Sequence, residues 1–277
     1  MREYIFAILV LFTLGGCIKE QPSTKHYEQR MVVDGRIENG RAAVVTLSLN
    51  LGYKDEYDSE DFKNMVVRWA KVTVVDDEGN KEVLTGRSNK DYPTQYIYTG
   101  SNLKGKTGHS YKLIVEYSGR TWTSVTTIPP DISFEDISIT HYRDSLYSIT
   151  AVIPPISTPC SIECALNGSS YYAPTLIGVY NASPTSRRIT INRPLDNFNR
   201  NDYLTYFLSD NTVKLRLNSL GNFAYDYWSE WENNIINLEN PIFPAINNMP
   251  TNISDDGLGI WAGYGVTYYN LGTVANN

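Results

Sequence analysis

Histidine and cysteine are scarce in this chain, at three residues each among 277. His26, His109 and His141 are scattered without the spacing of a ligand set, so no zinc or other metal site is indicated. The motifs of common hydrolases are missing as well. There is no G-x-S-x-G elbow, no H-E-x-x-H helix and no Cys–His nucleophile pattern. Positive charge is in deficit: 24 Lys and Arg stand against 30 Asp and Glu, a net charge of −6. That balance argues against nucleic acid and anionic lipid headgroups as partners. Beyond residue 16 no apolar run approaches the roughly 20 residues that a membrane span needs.

The one apolar run lies at the start. Met1-Arg2-Glu3 precedes Ile5-Phe6-Ala7-Ile8-Leu9-Val10-Leu11-Phe12, and Leu14-Gly15-Gly16-Cys17 closes it. A charged start, a short apolar stretch and small residues before a cut make a secretory signal peptide. Leu14-Gly15-Gly16-Cys17 resembles the bacterial lipobox. There a peptidase cuts before the Cys, whose sulfur carries diacylglycerol and whose amine takes a further acyl chain such as palmitate. Residues 1–16 are therefore expected to be a lipoprotein signal peptide, with Cys17 the lipidation site. Each buried CH₂ contributes about 0.8 kcal/mol, so several chains on one residue anchor firmly. Removing 16 of 277 residues leaves 261, and the loss of one Arg and one Glu keeps the charge at −6. Residues 17–29 read as a polar tether. Within it, Ile18-Lys19-Glu20-Gln21 weakly resembles the signal that sends Bacteroidota lipoproteins to the outer cell surface.

The rest of the chain is rich in Tyr, Thr, Ser, Asn and Val, which favours strands joined by turns. Over residues 30–130, alternating segments predict about seven short strands, near 31–37, 43–49, 70–76, 81–84, 95–98, 111–117 and 121–126. Tyr111, Leu113, Val115 and Tyr117 share one face, as period-two alternation requires. Ser118-Gly119 reads as a hairpin turn. This predicts an N-terminal immunoglobulin/transthyretin-like β-sandwich. Thr127-Ile128-Pro129-Pro130 suits a junction, because paired prolines are stiff and donate no hydrogen bonds. Residues 131–277 are expected to form a second, separately folding β-rich domain. Its strands are predicted near 137–142, 145–152, 161–167, 173–180, 203–208, 212–218 and 258–269. Phe223, Tyr227, Trp231 and Ile235 recur every four residues and predict one helix near 220–237.

Four further features have a chemical reading. Gly100-Ser101-Asn102-Leu103-Lys104-Gly105-Lys106-Thr107 fits G-x-x-x-x-G-K-[ST]. A phosphate loop needs a helix after it, whereas His109-Ser110-Tyr111 opens an alternating strand, so a plain connector is expected. Asp55-Glu56-Tyr57-Asp58-Ser59-Glu60-Asp61 lacks the spacing of a calcium loop and is expected to be a solvated loop. Trp228, Trp231, Trp261 and Tyr264 could form a sugar- or peptide-binding platform. Packing of the helix on its sheet is the favoured reading, since most large aromatics are substantially buried. Cys160 and Cys164 span about 13 Å if they lie on one strand, too far for a disulfide. A bond between them requires Cys160 to sit in a tight turn after Pro159.

The order of several short motifs resembles the Bacteroidota lipoprotein family called "domain of unknown function 4249". They begin with Val32-Val33-Asp34-Gly35-Arg36-Ile37 and Val45-Thr46-Leu47-Ser48. Next come Ala70-x-Val72-x-Val74-x-Asp76-Asp77-x-Gly79, Gly108-x-x-Tyr111-x-Leu113-x-Val115 and Thr127-Ile128-Pro129. They end with Tyr225-x-Tyr227, Asn240-Pro241, Thr251-Asn252-Ile253 and Gly257-Leu258-Gly259-Ile260-Trp261. The family implies no reaction, catalytic residue or cofactor. It does imply association with TonB-dependent outer-membrane transporters. The expected function is therefore non-catalytic: a binding or accessory component of nutrient uptake, anchored in the outer membrane. The alternative is a surface adhesin or matrix-binding lipoprotein. A hydrolase has no motif behind it.

Overall fold

The computed structural model describes residues 29–51, 58–194, 205–237 and 249–276. The signal peptide, Cys17 and the tether up to residue 28 lie outside the described residues. So do residues 52–57, the start of the strand expected at 203–208, and Pro241 and Pro244.

The fold is mainly β with one C-terminal helix. Its centre is β1 (Met31–Glu38), whose Val33, Gly35 and Ile37 face one side and Asp34, Arg36 and Glu38 the other. β1 pairs antiparallel with β2 (Ala42–Leu49) and, on its other edge, in parallel with β16 (Leu258–Thr273). β16 is a joint. Its first residues, from Leu258 to Tyr264, run beside β1, and from Tyr264 to Thr273 it runs antiparallel to β15 (Thr212–Leu220). β15 carries β11 (Cys160–Leu166) and then β12 (Ala173–Tyr180). β2 carries β6 (Tyr96–Lys104) and then β5 (Thr85–Ser88). The result is one eight-stranded sheet in the order β12-β11-β15-β16-β1-β2-β6-β5.

Two smaller sheets cover one face of it. The first joins β4 (Lys81–Val83), β3 (Lys71–Asp76), β7 (Ser110–Tyr117) and β8 (Arg120–Thr127). It closes a core containing Val33, Ile37, Val45, Val72, Leu113, Val115 and Trp122. The second is built on β10 (Leu146–Ile153), flanked by β9 (Asp136–Arg143), β13 (Arg187–Ile191) and β14 (Phe207–Leu208). It closes a core containing Ile149, Ile162, Ile189, Phe207, Leu215 and Leu217. Cys160 and Cys164 both lie on β11, face this second core, and are not joined by a disulfide. Extended strand geometry holds them apart, and burial pushes the Cys160 thiol up to about 12.

Pro129-Pro130 marks where the chain passes from one covering sheet to the other. It crosses β16 at Gly263 and Gly265; a Cβ on Gly265 would lie 2.5 Å from the Pro129 carbonyl oxygen. The two halves are nevertheless joined. Ile253 and Trp261, from beyond the junction, are part of the first core, so residues 30–130 do not complete that core themselves.

Two α-helices are described, besides a 3-10 turn at Val274–Asn276. α1 (Ser59–Met65) replaces part of the solvated loop expected over Asp55–Asp61. Asp58 caps it, accepting from the amides of Glu60 (2.8 Å) and Asp61 (2.9 Å), while Asp61 accepts from the Asp58 amide (3.2 Å). These carboxylates cap a helix rather than gather round a cation. α2 (Asn222–Asn237) lies on the opposite face of the large sheet from the two covering sheets. Phe223, Tyr225, Tyr227 and Trp228 pack there on Leu220, Ile260, Ala262 and Tyr264. Glu232 accepts from the Gly178 amide at 2.7 Å, tying α2 to β12 beside Ile177, whose φ of 55° is unusual for a β-branched residue.

Candidate ligand-binding cleft

Strand alternation on β11, β15 and β1, the last separated from β15 by β16, puts charge on the face that α2 only partly covers. β1 contributes Asp34, Arg36 and Glu38 and β11 contributes Ser161 and Glu163. β15 contributes Arg216 and Asn218. Glu163 stands directly opposite Arg216 in register, and Ser161 opposite Asn218. Such cross-strand neighbours interact most strongly when their charges are opposite.

The four central groups form a closed ring of charge. Arg36 Nη1 lies 3.1 Å from Glu163 Oε2, and Arg216 Nη1 lies 3.1 Å from Glu38 Oε1. Arg216 Nε also bonds Glu163. Arg36 Nε approaches Glu38 Oε1 to 2.6 Å, but without the alignment of a hydrogen bond. Asn218 ties the ring to the sheet, accepting from Arg36 Nη2 (3.2 Å) and donating to Ser161 Oγ (3.1 Å). The Tyr268 hydroxyl donates to Glu38. Burial alone would raise the Glu38 pKa, but Arg36, Arg216 and the Tyr268 hydroxyl together lower it to about 2. The ring is therefore two cations and two anions, mutually neutralised.

Tyrosines stack on the cations. The Arg36 guanidinium lies 4.5 Å from the Tyr264 ring centroid, Arg216 4.8 Å from Tyr172, and Arg41 4.2 Å from Tyr268. Trp228 on α2 donates to the Tyr264 hydroxyl at 2.9 Å. Tyr92 and Tyr171, from loops on opposite sides, meet with centroids 5.0 Å apart.

Two connected spaces result. An outer cleft of about 350 Å³ is lined by Arg41, Lys104, Tyr92, Tyr172 and Tyr268, together with Arg36, Glu38 and Arg216 of the ring. An inner recess of about 30 Å³ is lined by Asp34, Thr46, Tyr171, Trp228 and Tyr264. Arg36, Arg216, Tyr92 and Tyr172 border both. Asp34 lines the recess as an exposed residue, yet protein atoms crowd around its carboxyl and thin its hydration. That desolvation raises its pKa, with Arg36 opposing and Glu163 adding to the rise. Among the described residues the Asp34 carboxylate has no hydrogen-bond donor.

Packing is the favoured sequence reading for Trp228, Trp231, Trp261 and Tyr264, with a binding platform as the other, and the structure divides the four. Trp261 points the other way, into the first core, with its indole N–H on the Tyr111 carbonyl at 2.9 Å. Trp228 and Tyr264 do line the recess, and Trp231 packs edge-on against Trp228 with centroids 5.8 Å apart. The ring residues Glu38, Glu163 and Arg216 were not singled out from the sequence. Charged residues alternating with apolar ones ordinarily mark a solvent face, and only the pairing of distant strands brings them together.

The stretch from Gly100 to Thr107 is not a nucleotide loop. β6 continues through Lys104 and β7 starts at Ser110, so no helix follows. Its amides do converge on an anion, the Glu82 carboxylate. Ser101, Asn102 and Leu103 donate to it at 2.7, 3.0 and 2.8 Å. Lys106 Nζ is 3.9 Å from Glu78. Among the described residues no group of three or more His, Cys, Asp or Glu is placed to hold a metal ion, and no helix is long and apolar enough to cross a membrane.

Among solved structures, the chain is similar to the crystal structure of a DUF4785 family protein from Legionella pneumophila. Identity is 14%, and the match covers 70% of this chain and 53% of that one, with a TM-score of 0.22. The chain thus spans about half the length of that relative. No curated protein matches the sequence. The family model described as "Domain of unknown function (DUF4249)" matches residues 19–270, and the chain belongs to that family.

Proposed function

We propose that this protein is an outer-membrane lipoprotein, anchored by acyl chains on Cys17. Its body serves as a non-catalytic binding component of a TonB-dependent uptake system. The lipobox-like Leu14-Gly15-Gly16-Cys17 supports the location. The observation that carries the binding role is the cleft of about 350 Å³ with its inner recess. Its arginines and glutamates are already paired and stacked. A ligand therefore meets a preformed wall, and little ordering cost is left for the moment of binding. The test has two parts. Metabolic labelling with palmitate should mark the wild-type chain and not Cys17→Ser, which should leave the membrane fraction. Detergent extraction of the native protein should then recover an outer-membrane transporter alongside it. An unacylated Cys17 in mass spectra, or recovery of host-matrix components only, would defeat the reading; the second outcome would point to an adhesin.

A further inference from the structure

The ring leaves one charge over. Arg36 and Arg216 are consumed by Glu38 and Glu163, and Asp34 stands two residues along the same face with no partner of its own among the described residues. At the other end of the cleft the imbalance has the opposite sign. Lys104 lines the outer cleft without an ion pair among the described residues. Arg41 reaches Glu38 only at 3.9 Å and is largely exposed.

We propose that the Asp34 recess receives the primary ammonium end of a short peptide, whose body lies in the outer cleft and whose carboxylate meets Lys104 and Arg41. This rests on reading the cleft as a binding site, and it names the ligand class. Three observations select an ammonium. The recess, at about 30 Å³, has room for roughly two water-sized groups, an NH₃⁺ and its first carbon. Its walls include the rings of Trp228 and Tyr171, and aromatic rings attract cations, as the Tyr264 ring already does for Arg36. Finally, an ammonium has three donors and no acceptor, which matches a free carboxylate beside the Thr46 hydroxyl. A divalent metal fits less well, because it needs several oxygen ligands and two of the three nearby carboxylates are held by arginines. Asp34 and Glu38, four residues apart on β1, are separated by about 13 Å. That distance corresponds to about four residues of extended peptide.

The test is calorimetric titration of the mature full chain in detergent with tetra-alanine, N-acetyl-tetra-alanine and tetra-alanine amide. Tetra-alanine should bind, and acetylation should weaken binding at least tenfold. Asp34→Asn, checked by its melting curve, should weaken tetra-alanine to the level of the acetylated peptide. Lys104→Ala should weaken tetra-alanine but not its amide. No binding of tetra-alanine at millimolar concentration, or equal binding of the free and acetylated peptides, would overturn the assignment. Acylation of Cys17 and recovery of a transporter are read separately, so failure here leaves the anchoring proposal standing.

Discussion

Trp261 packs against Gly35, its partner across the parallel β1–β16 seam. A Cβ on Gly35 would lie 2.8 Å from Trp261 Cε3 and 3.4 Å from Val45 Cγ2. The indole cannot easily retreat, because its N–H is fixed on the Tyr111 carbonyl in the covering sheet. Gly35→Ala should therefore cost about 1–3 kcal/mol as an overpacking change. Trp261→Ala should cost about 3–5 kcal/mol. For the same reason a fragment of residues 30–130 should not unfold cooperatively by itself. It lacks the indole and leaves one edge of β1 unpaired. A sharp denaturant transition for that fragment would show that the first core closes without β16.

Most strands were legible in the sequence, because period-two alternation is a local signal. The pairing of β1 with β16 was not, since their residues are more than 200 positions apart and neither strand names its neighbour. The junction at Pro129-Pro130 suggested two independent units for the same reason: stiff local chain says nothing of a strand that returns later. α1 was missed although Asp58 and Asp61 form a capping box, because the dense acidic run reads first as solvated. The cleft was the least legible. Asp34 and Arg36 stood out only within a family-like motif, and the residues that complete the cleft, Glu163 on β11 and Arg216 and Asn218 on β15, lie more than 120 positions further along the chain.

The ring of charge predicts an asymmetry between single and paired substitutions. Arg216→Met alone leaves Glu38 and Glu163 facing each other with one arginine between them. Loss of one partner from a buried pair costs about 3–5 kcal/mol. Replacing Glu163 at the same time, as Arg216→Met with Glu163→Leu, removes the orphaned charge along with its partner. The double variant should be more stable than Arg216→Met, by chemical denaturation. A double variant as unstable as the sum of the singles would mean the groups are not coupled.

Acid titration should separate Glu38 from Asp34, because their shifts have opposite sign. The Glu38 pKa is lowered to about 2, so its ionised form stabilises the fold above about pH 4.5. That contribution falls away as the pH drops from about 4.5 to about 2. The gap in melting temperature between wild type and Glu38→Gln should narrow over that interval. The Asp34 pKa is raised, so its ionised form is disfavoured in the folded state. Asp34→Asn should match wild type at low pH, where both side chains are neutral, and become the more stable as pH rises past the ordinary carboxylate range. Parallel curves for the two variants would show that neither group is linked to folding as its surroundings imply.

The loop from Gly100 to Thr107 predicts that its acid partner, not its lysine, holds it in place. Three consecutive amides converge on Glu82, whose pKa they hold below the usual range even though burial acts the other way. Hydrogen bonds to a charged group contribute about 1.5–3 kcal/mol, and the partial exposure of this site lowers the expectation to about 1 kcal/mol. Glu82→Ala should cost that much. Gly100→Ala should also destabilise, because a Cβ there would lie 2.5 Å from Glu82 Oε2. Lys106 reaches only Glu78, at 3.9 Å and with both side chains exposed, so Lys106→Ala should change stability by less than about 0.5 kcal/mol. A phosphate-binding loop would reverse that order for ligand affinity. Titration with ATP and magnesium would then give binding that disappears in Lys106→Ala. With the amides already occupied by a carboxylate from the neighbouring strand, no such binding is expected.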